Sequence, residues 1–218
     1  MFTDTPAVAD ERQTSNAPRE CARSSGGYHI VPCGADDARR ADAEEFVRRR
    51  FLRSHGAHIA TFFPTLLLLT DSEGELAAVA GFRSAKDGPL FLERYLPAPI
   101  EHALTSQVSA PVRRAEIIEV GNFAACDSRR ARILMSYLPA YLLERSARWI
   151  TFTATAAIRG ILSAMGARCL EVGAADGACV SGGADEWGRY YSNDPRVMAG
   201  FLPSARRIPA LWRTHHGD

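Results

Sequence analysis

The sequence predicts an α/β fold in which helices flank a single mixed, largely antiparallel sheet, and three observations support this prediction. Short runs of apolar and β-branched residues alternate with longer segments rich in helix formers, a pattern typical of sheets covered by helices. Two of the apolar runs follow one another across a short turn, which indicates an antiparallel hairpin. The chain shows neither an internal repeat nor a linker between two domains, and its 218 residues are enough for one sizeable core.

In the first half of the chain we predict a strand at 28–34, a helix at 35–56 and a hairpin whose two strands lie at 66–69 and 75–85. The first strand alternates weakly between polar and apolar residues. The helix carries a partial apolar stripe; Asp36 and Asp37 suit its first turn, and Gly56 suits its end. The hairpin strands flank the segment DSEG, which is a typical turn sequence.

The second half of the chain alternates helices with strands. The predicted elements are a helix that opens near Pro99, a strand at 116–124, a helix at 128–147, a strand at 149–155, a helix at 156–166 and a strand at 169–175. The strands are rich in apolar and β-branched residues, and the apolar residues of the third helix recur at helical spacing. Pro139 should interrupt that helix. The Gly- and Pro-rich stretch 176–212 predicts loops with short elements.

Composition excludes several classes of partner. Lys and Arg number 26 against 25 Asp and Glu, so neither nucleic acid nor an anionic membrane is expected as the main partner. No apolar run reaches the ~18 residues that a membrane span needs. The five cysteines form no CxxC pair, and no HExxH motif occurs, so we expect reduced thiols and no metal site.

The polar N-terminus lacks the basic start and apolar stretch of a signal peptide, so we expect a cytoplasmic protein. Residues 1–26 are polar, with scattered Pro, Ser and Gly, and are expected to be disordered. The folded domain should then span residues 27–206, followed by a C-terminal tail at 207–218.

The order of elements and several motifs resemble known protein families. The alternating unit at 116–175 resembles the GCN5-related N-acyltransferase fold. The motifs GFRSAKDGPLFLERYL, EVGNFA, WITFTAT and WGRYYSNDPRVMAG resemble, in this order, the thermostable hemolysin family over about residues 28–205. A weaker resemblance is to acyl-homoserine lactone synthases, which place an arginine like Arg83 after a hairpin strand and a glutamate on the strand that carries Glu119. Those synthases usually continue with a Ser-Arg pair, where this chain has Gly121 and Asn122.

Glu119 is the first candidate catalytic residue, because a buried strand should not hold a carboxylate without compensation. If Glu119 faces a cleft, burial raises its pKa toward that of a general base that takes a proton from an amine. The fold resemblance implies this role. A structural ion pair with Arg83 or Arg114 is the alternative.

The fold resemblance also implies how an acyl donor would bind. In that fold this strand splays from its neighbour, and free backbone groups pair with the pantetheine arm of the donor. Gly121, Asn122, Phe123 and Ala124 would lie at this position, with Phe123 and Ala124 supplying the backbone groups. The alternative is an ordinary strand with a glycine for packing.

The next helix should begin at Asp127 or Ser128, and its first turn contains Arg129, Arg130 and Arg132. Free N–H groups and arginine charge would suit a pyrophosphate. The segment has none of the glycines usual in the pyrophosphate loop of the fold, so the single phosphate of an acyl carrier protein competes with coenzyme A. A solvated basic face is the alternative.

Two further groups of side chains could contact substrates. Arg83, Glu93 and Tyr95 could bind the acceptor, with Glu93 and Tyr95 on one side if their segment is extended; surface placement is the alternative. Tyr190 and Tyr191 could include the general acid that protonates a leaving thiolate, or could be core or rim aromatics.

The resemblance thus implies transfer of an acyl group to a small-molecule amine, either from acyl-CoA or from the acyl-phosphopantetheine of an acyl carrier protein. Neither a permanently bound cofactor nor a metal is expected. The family name points to the alternative, a membrane-lytic protein without enzymatic activity.

Overall fold

The computed structural model describes residues 27–180 and 186–205. Its seven strands form one sheet in the order β1-β2-β3-β4-β5-β7-β6. The strands are β1 (His29–Cys33), β2 (Thr65–Thr70), β3 (Leu76–Ser84), β4 (Ile117–Ala125), β5 (Trp149–Ala154), β6 (Cys169–Ala174) and β7 (Arg196–Phe201). Of the six pairs of neighbouring strands, β4 and β5 run parallel and the other five pairs are antiparallel. The predicted mixed, largely antiparallel sheet is confirmed. The segment 1–26, which was predicted to be disordered, and the predicted C-terminal tail at 207–218 lie outside the described residues.

Helices cover both faces of the sheet. They are α1 (Arg40–His55), α2 (Ile100–Val108), α3 (Ser128–Leu143), α4 (Ala156–Ala164) and α5 (Leu202–Ala205), and a 3-10 helix spans Phe91–Tyr95. On one face α3 packs against Ile118 and Val120 of β4. On the other face α1 packs against β2 and β3, while α2 packs against Ile117 and Trp149. Because side chains alternate along a strand, Glu119 shares the face of Ile117 and points toward α2 and the 3-10 helix.

The predicted hairpin of β2 and β3 is confirmed, and its turn has a clear physical cause. The Asp71 carboxylate accepts hydrogen bonds from the backbone N–H groups of Glu73 and Glu75 at 3.0 Å each. Gly74 adopts a φ of 87°, which side chains with a Cβ rarely allow. Gly56 likewise ends α1 in the left-handed region, as predicted, with a φ of 69°.

The structure differs from the sequence predictions in three details. β7 forms in the stretch predicted to hold loops with short elements, and its place in the sheet between β5 and β6 was not predicted. Its sequence RVMAGF contains Ala and Gly, which are depleted in strands, and its burial on both faces removes the alternation that marks a strand. α3 continues through Pro139 and ends at Leu143. α1 begins at Arg40, so Asp36 and Asp37 precede it.

Among the described cysteines, Cys33, Cys169 and Cys179 have free thiols. Cys126 is not among these free thiols. No group of His, Cys, Asp and Glu within residues 27–180 and 186–205 could hold a metal ion. No helix in the same ranges is long and apolar enough to cross a membrane.

Candidate active site

The two parallel strands at the centre of the sheet separate partway along their length. β4 pairs with β5 from Ile117 opposite Trp149 to Val120 opposite Phe152, and the pairing stops there. β4 nevertheless continues to Ala125. On its other edge β4 stays paired with β3, with a bulge where Ala124 pairs with Val79 and Gly121 with Gly81. The residues from Gly121 onward therefore face a gap on the β5 side.

A cavity of about 1090 Å³ opens at this gap. On the α3 side of the sheet its wall is apolar and consists of Met135, Leu138, Ile150, Phe152, Ile158, Leu162 and Met165. On the opposite side its wall includes a group of aromatic residues, Phe63, Phe91, Tyr95, Trp187 and Tyr190, together with the charged residues Glu119, Arg94 and Glu186. The gap between the strands thus joins an apolar region on one face of the sheet to an aromatic region on the other.

Glu119 lies at the boundary of these regions, is 2% exposed and has its charge compensated. Arg83 lies directly opposite on β3 and donates from Nε to Oε2 at 2.8 Å. The backbone N–H of Phe91 donates to the same oxygen at 2.8 Å, and that of Leu92 donates to Oε1 at 2.9 Å. The ion pair with Arg83, which was the alternative at the sequence level, is present. Glu119 therefore holds the start of the 3-10 helix Phe91–Tyr95 against the sheet.

The pKa of Glu119 reflects a competition between burial and these partners. Burial raises the pKa of Glu119 to about 6, although the charge and hydrogen bond of Arg83 and the N–H of Leu92 oppose the increase. A carboxyl group with this pKa is mostly ionised at neutral pH and is still basic enough to take a proton. Arg83 and the N–H groups of Phe91 and Leu92 donate hydrogen bonds to the Glu119 carboxylate. Among the described residues, Oε1 accepts from Leu92 alone, so this oxygen can accept a further hydrogen bond from a substrate.

Glu93 occupies a different position from the one predicted. The segment Phe91–Tyr95 is a 3-10 helix with about three residues per turn, so side chains two positions apart diverge. Glu93 turns away from the cavity and pairs with Arg114 at 2.6 Å. It also accepts hydrogen bonds from the N–H groups of Leu90 (2.7 Å) and Ile100 (3.0 Å). These contacts make Glu93 an anchor of the 3-10 helix and of the start of α2.

The tyrosines form part of an aromatic cluster at the entrance of the cavity. The hydroxyls of Tyr95 and Tyr191 are hydrogen-bonded at 2.7 Å. Tyr190 lines the cavity, and its ring packs edge-on against His55 at 5.3 Å between centroids. Trp187 contacts Tyr190 at 5.3 Å. Burial raises the pKa of Tyr190, so its hydroxyl keeps its proton at neutral pH.

Residues 121–124 lie at the gap, but their side chains have local structural roles. Asn122 takes the positive φ of the bulge, 45°. Its side chain accepts from the Phe63 N–H at 2.9 Å and donates to the Thr61 carbonyl at 3.1 Å. A Cβ on Gly121 would lie 2.9 Å from the Phe63 ring, so this glycine makes room for an aromatic wall of the cavity. Phe123 also lines the cavity.

The start of α3 borders a second cavity of about 300 Å³. Asp127 caps the helix by accepting from the Arg130 N–H at 2.9 Å, and Asp127, Ser128 and Arg50 line the cavity. Arg130 is 7% exposed and its guanidinium pairs with Asp127, so the structure does not support its predicted contact with phosphate. Arg129 and Arg132 are exposed and do not line this cavity.

Several cavity residues were not singled out from the sequence. Arg50 donates to the Cys126 carbonyl at 3.0 Å, and its Nε is buried without a hydrogen-bond partner among the described residues. Burial, reinforced by the charge of Arg189, lowers the pKa of His55, which lines both cavities. Phe91 and Arg94 lie three residues apart in the 3-10 helix. In the sequence, the three-residue spacing of Phe91 and Arg94 in LFLERYL was the one sign that these two side chains could lie together.

Comparison with solved structures shows the fold to be shared with acyl-transferring enzymes. The acyl-homoserine lactone synthase LasI has a TM-score of 0.56 at 14% identity, covering 87% of this chain and 100% of its own. FeeM, an N-acyl amino acid synthase from uncultured soil microbes, has a TM-score of 0.57 at 18% identity and coverage of 84% and 96%. The CoA-dependent acyl-homoserine lactone synthase BjaI, solved with SAM and isopentyl-CoA, has a TM-score of 0.56 at 12% identity and coverage of 88% and 95%.

These likenesses confirm the predicted GCN5-related N-acyltransferase-like fold. No curated protein sequence gives a significant match. The sequence profile described as "Thermostable hemolysin" matches residues 33–206, which is most of the chain. The chain therefore belongs to the thermostable hemolysin family.

Proposed function

We propose that this protein is an acyltransferase that moves an acyl group from an acyl thioester to an amine-bearing small molecule. The observation that carries the proposal is the gap between β4 and β5, which opens into a large cavity beside the buried Glu119. The structural neighbours named for acyl transfer support the same conclusion. The donor is acyl-CoA or the acyl-phosphopantetheine of an acyl carrier protein, and we place the reaction in the cytoplasm.

The donor would pair its pantetheine arm with the free edge of β4 after the bulge. The backbone groups of Phe123 and Ala124 lie past the last paired residue, Val120, and can serve as the edge of a pseudo-strand. The second cavity lies at the same end of β4 and would receive the phosphate end. Ser128 at the start of α3 and Arg50 on α1 supply its donors.

The acyl chain would occupy the apolar region on the α3 side. The apolar side chains of α4 line the cavity, yet none of its residues is buried. The apolar face of α4 is therefore open for a ligand to cover. Pockets that enclose drug-sized ligands measure about 300–1,000 Å³. A cavity of about 1090 Å³ is therefore far larger than an acetyl group needs, and we propose a longer acyl chain.

The chemistry requires direct attack of the amine on the thioester carbonyl. Glu119, with a pKa of about 6, takes the proton that the amine loses. The tetrahedral intermediate then expels the thiolate, and Tyr190, whose hydroxyl stays protonated because burial raises its pKa, supplies the proton. Proximity within the cavity is sufficient for this step, so no covalent enzyme intermediate is needed.

The test is release of free thiol from acyl-CoAs of increasing chain length in the presence of small amines. Glu119→Gln should lower turnover by about 100- to 10,000-fold, the range for loss of a general base. Glu116→Gln is the matched control, because Glu116 also pairs with an arginine but lies outside the cavity. Circular dichroism checks that both variants are folded, and the wild-type rate should fall as the pH drops below about 6.

Unchanged turnover in Glu119→Gln would remove this residue from the mechanism. Absence of thiol release with every donor, including acyl carrier protein, would contradict the acyltransferase proposal itself. The same preparation can be mixed with dye-loaded liposomes without any thioester. Dye release there would favour a directly lytic protein.

A further inference from the structure

Arg94 is the cationic side chain next to the Glu119 anchor in the aromatic region of the cavity. A 3-10 helix has about three residues per turn, so Phe91 and Arg94 project from the same side of the helix Phe91–Tyr95. Both line the cavity. The Arg94 guanidinium carbon lies 3.9 Å from the centroid of the Phe91 ring. The ring thereby holds one face of the guanidinium and leaves its N–H edge open.

The charge of Arg94 is not used within the described part of the chain. Arg83 pairs with Glu119, and Arg114 pairs with Glu93 and Glu101. By contrast, no carboxylate within residues 27–180 and 186–205 lies within ion-pair distance of Arg94. An arginine that is oriented by stacking, borders a cavity and has no carboxylate partner among the described residues is suited to bind an anionic group of a ligand.

We propose that Arg94 binds a carboxylate of the acceptor, so that the acceptor is a primary amine that also carries a carboxylate. This inference rests on the proposed acyl transfer and names the substrate class of that site. The backbone N–H of Phe91 contacts Glu119 at 2.8 Å, and the Arg94 guanidinium stacks on the ring of the same residue. Glu119 and Arg94 thus face the cavity on either side of Phe91, which suits an acceptor whose amine and carboxylate lie close together, as in an amino acid.

The aromatic wall selects the rest of the acceptor. Phe63, Tyr95, Trp187 and Tyr190 surround the same region and offer apolar ring faces. An amino acid with an aromatic or aliphatic side chain fits this wall, because the ring faces offer it apolar contact.

The experiment compares pairs of acceptors that differ by the carboxylate alone. L-Phenylalanine is paired with phenethylamine, and L-leucine with 3-methylbutylamine, with decanoyl-CoA as the donor and thiol release as the readout. The wild type should prefer the amino acid in kcat/KM by about 10- to 100-fold, as expected for a charge-assisted bidentate contact. Arg94→Ala should abolish this preference, and Arg94→Lys should retain part of it because a lysine keeps the charge but not the bidentate geometry.

Arg145→Ala is the matched control. Arg145 is also exposed and stacks on a ring, 3.5 Å from the Tyr141 centroid, but it does not line the cavity. Its substitution should leave the preference intact. An equal loss for both members of a pair in Arg94→Ala, or a wild type that prefers the simple amines, would overturn the proposal.

Calorimetric titration without any thioester separates this inference from the proposed function. Wild-type protein should bind L-phenylalanine about 10-fold or more tightly than phenethylamine, and Arg94→Ala should not discriminate. Such binding without transfer would support the carboxylate site and contradict the acyltransferase proposal. Transfer without any carboxylate preference in rate or binding would support the acyltransferase and overturn the role of Arg94.

Discussion

Glu93→Gln tests whether the carboxylate next to the cavity is an anchor or a substrate contact. Glu93 accepts from Arg114, Leu90 and Ile100, and none of its partners lies in the substrate cavity. These hydrogen bonds and the Arg114 charge outweigh burial and lower the pKa of Glu93 from 4.5 to about 2. We therefore expect the substitution to affect folding before it affects substrate binding.

The magnitude follows from the pKa. A carboxyl group that titrates near 4.5 in the unfolded chain and near 2 in the folded one contributes roughly 3 kcal/mol, at about 1.4 kcal/mol per pH unit. The side chain is 14% exposed, so solvent screens this contribution little. Because the folded pKa is lowered, the contribution is complete above pH 4.5 and disappears as the pH falls toward 2.

The assay is urea unfolding followed by tryptophan fluorescence at pH 7 and at a series of pH values below 4.5. At pH 7 Glu93→Gln should be destabilised by about 2–3 kcal/mol, and the difference from wild type should shrink steadily on acidification. Glu116→Gln is the control. Its arginine partner is 77% exposed, and such surface pairs contribute less than about 1 kcal/mol.

Two results would refute this reasoning about Glu93. The first is equal stability of wild type and Glu93→Gln at pH 7. The second is a difference that does not change between pH 7 and pH 3, since this would mean that the charge of the carboxylate is not what stabilises the fold. Loss of acceptor binding at unchanged stability would restore Glu93 as a substrate contact.

Two further substitutions test the walls of the cavity. Gly121→Ala places a Cβ 2.9 Å from the Phe63 ring and should cost about 1–3 kcal/mol of stability, measured by thermal unfolding. The control Gly160→Ala meets nothing within 4 Å and lies inside α4, where Ala is the better helix former, so it should leave stability unchanged or raise it slightly. Equal effects of the two substitutions would contradict the packing role of Gly121. Leu162→Trp should shift the preferred donor from dodecanoyl-CoA toward butyryl-CoA, because the indole fills the apolar region of the cavity. The control Leu170→Trp lies at an exposed position outside the cavity and should not change the preferred donor. An unchanged donor preference in Leu162→Trp would contradict the proposed location of the acyl chain.

The fold could largely be predicted because its signals are local. The hairpin turn is encoded by Asp71 and Gly74, and the end of α1 by Gly56, since each satisfies backbone groups or a positive φ within a few residues. β7 was missed for the opposite reason. Its residues show no alternation because neighbouring strands and both faces of the sheet bury them, and such burial is not encoded within the strand itself.

The candidate site could be predicted in part. The glutamate at position 119 is visible in the sequence because a carboxylate in an apolar strand is costly and needs a reason. Arg83 was one of two arginines named from the sequence as a partner, and the structure selects it over Arg114. The N–H groups of Phe91 and Leu92 lie 28 and 27 residues away and are not visible as partners in the sequence. The prediction that Glu93 and Tyr95 lie on one side depended on an extended segment, and the 3-10 helix directs these side chains apart.

The sequence by itself determined the class of fold and the family, together with the strand that carries the candidate base, because periodicity, turn residues and motif order are properties of short segments. The tertiary structure alone decided where β4 leaves β5, which arginines pair with carboxylates and which face the cavity. The physical reason is that charge pairing and strand separation depend on distances between segments far apart in the chain. Arg83, Arg94, Arg114 and Arg130 are the same residue type in sequence, and their surroundings in the folded chain give each a different role.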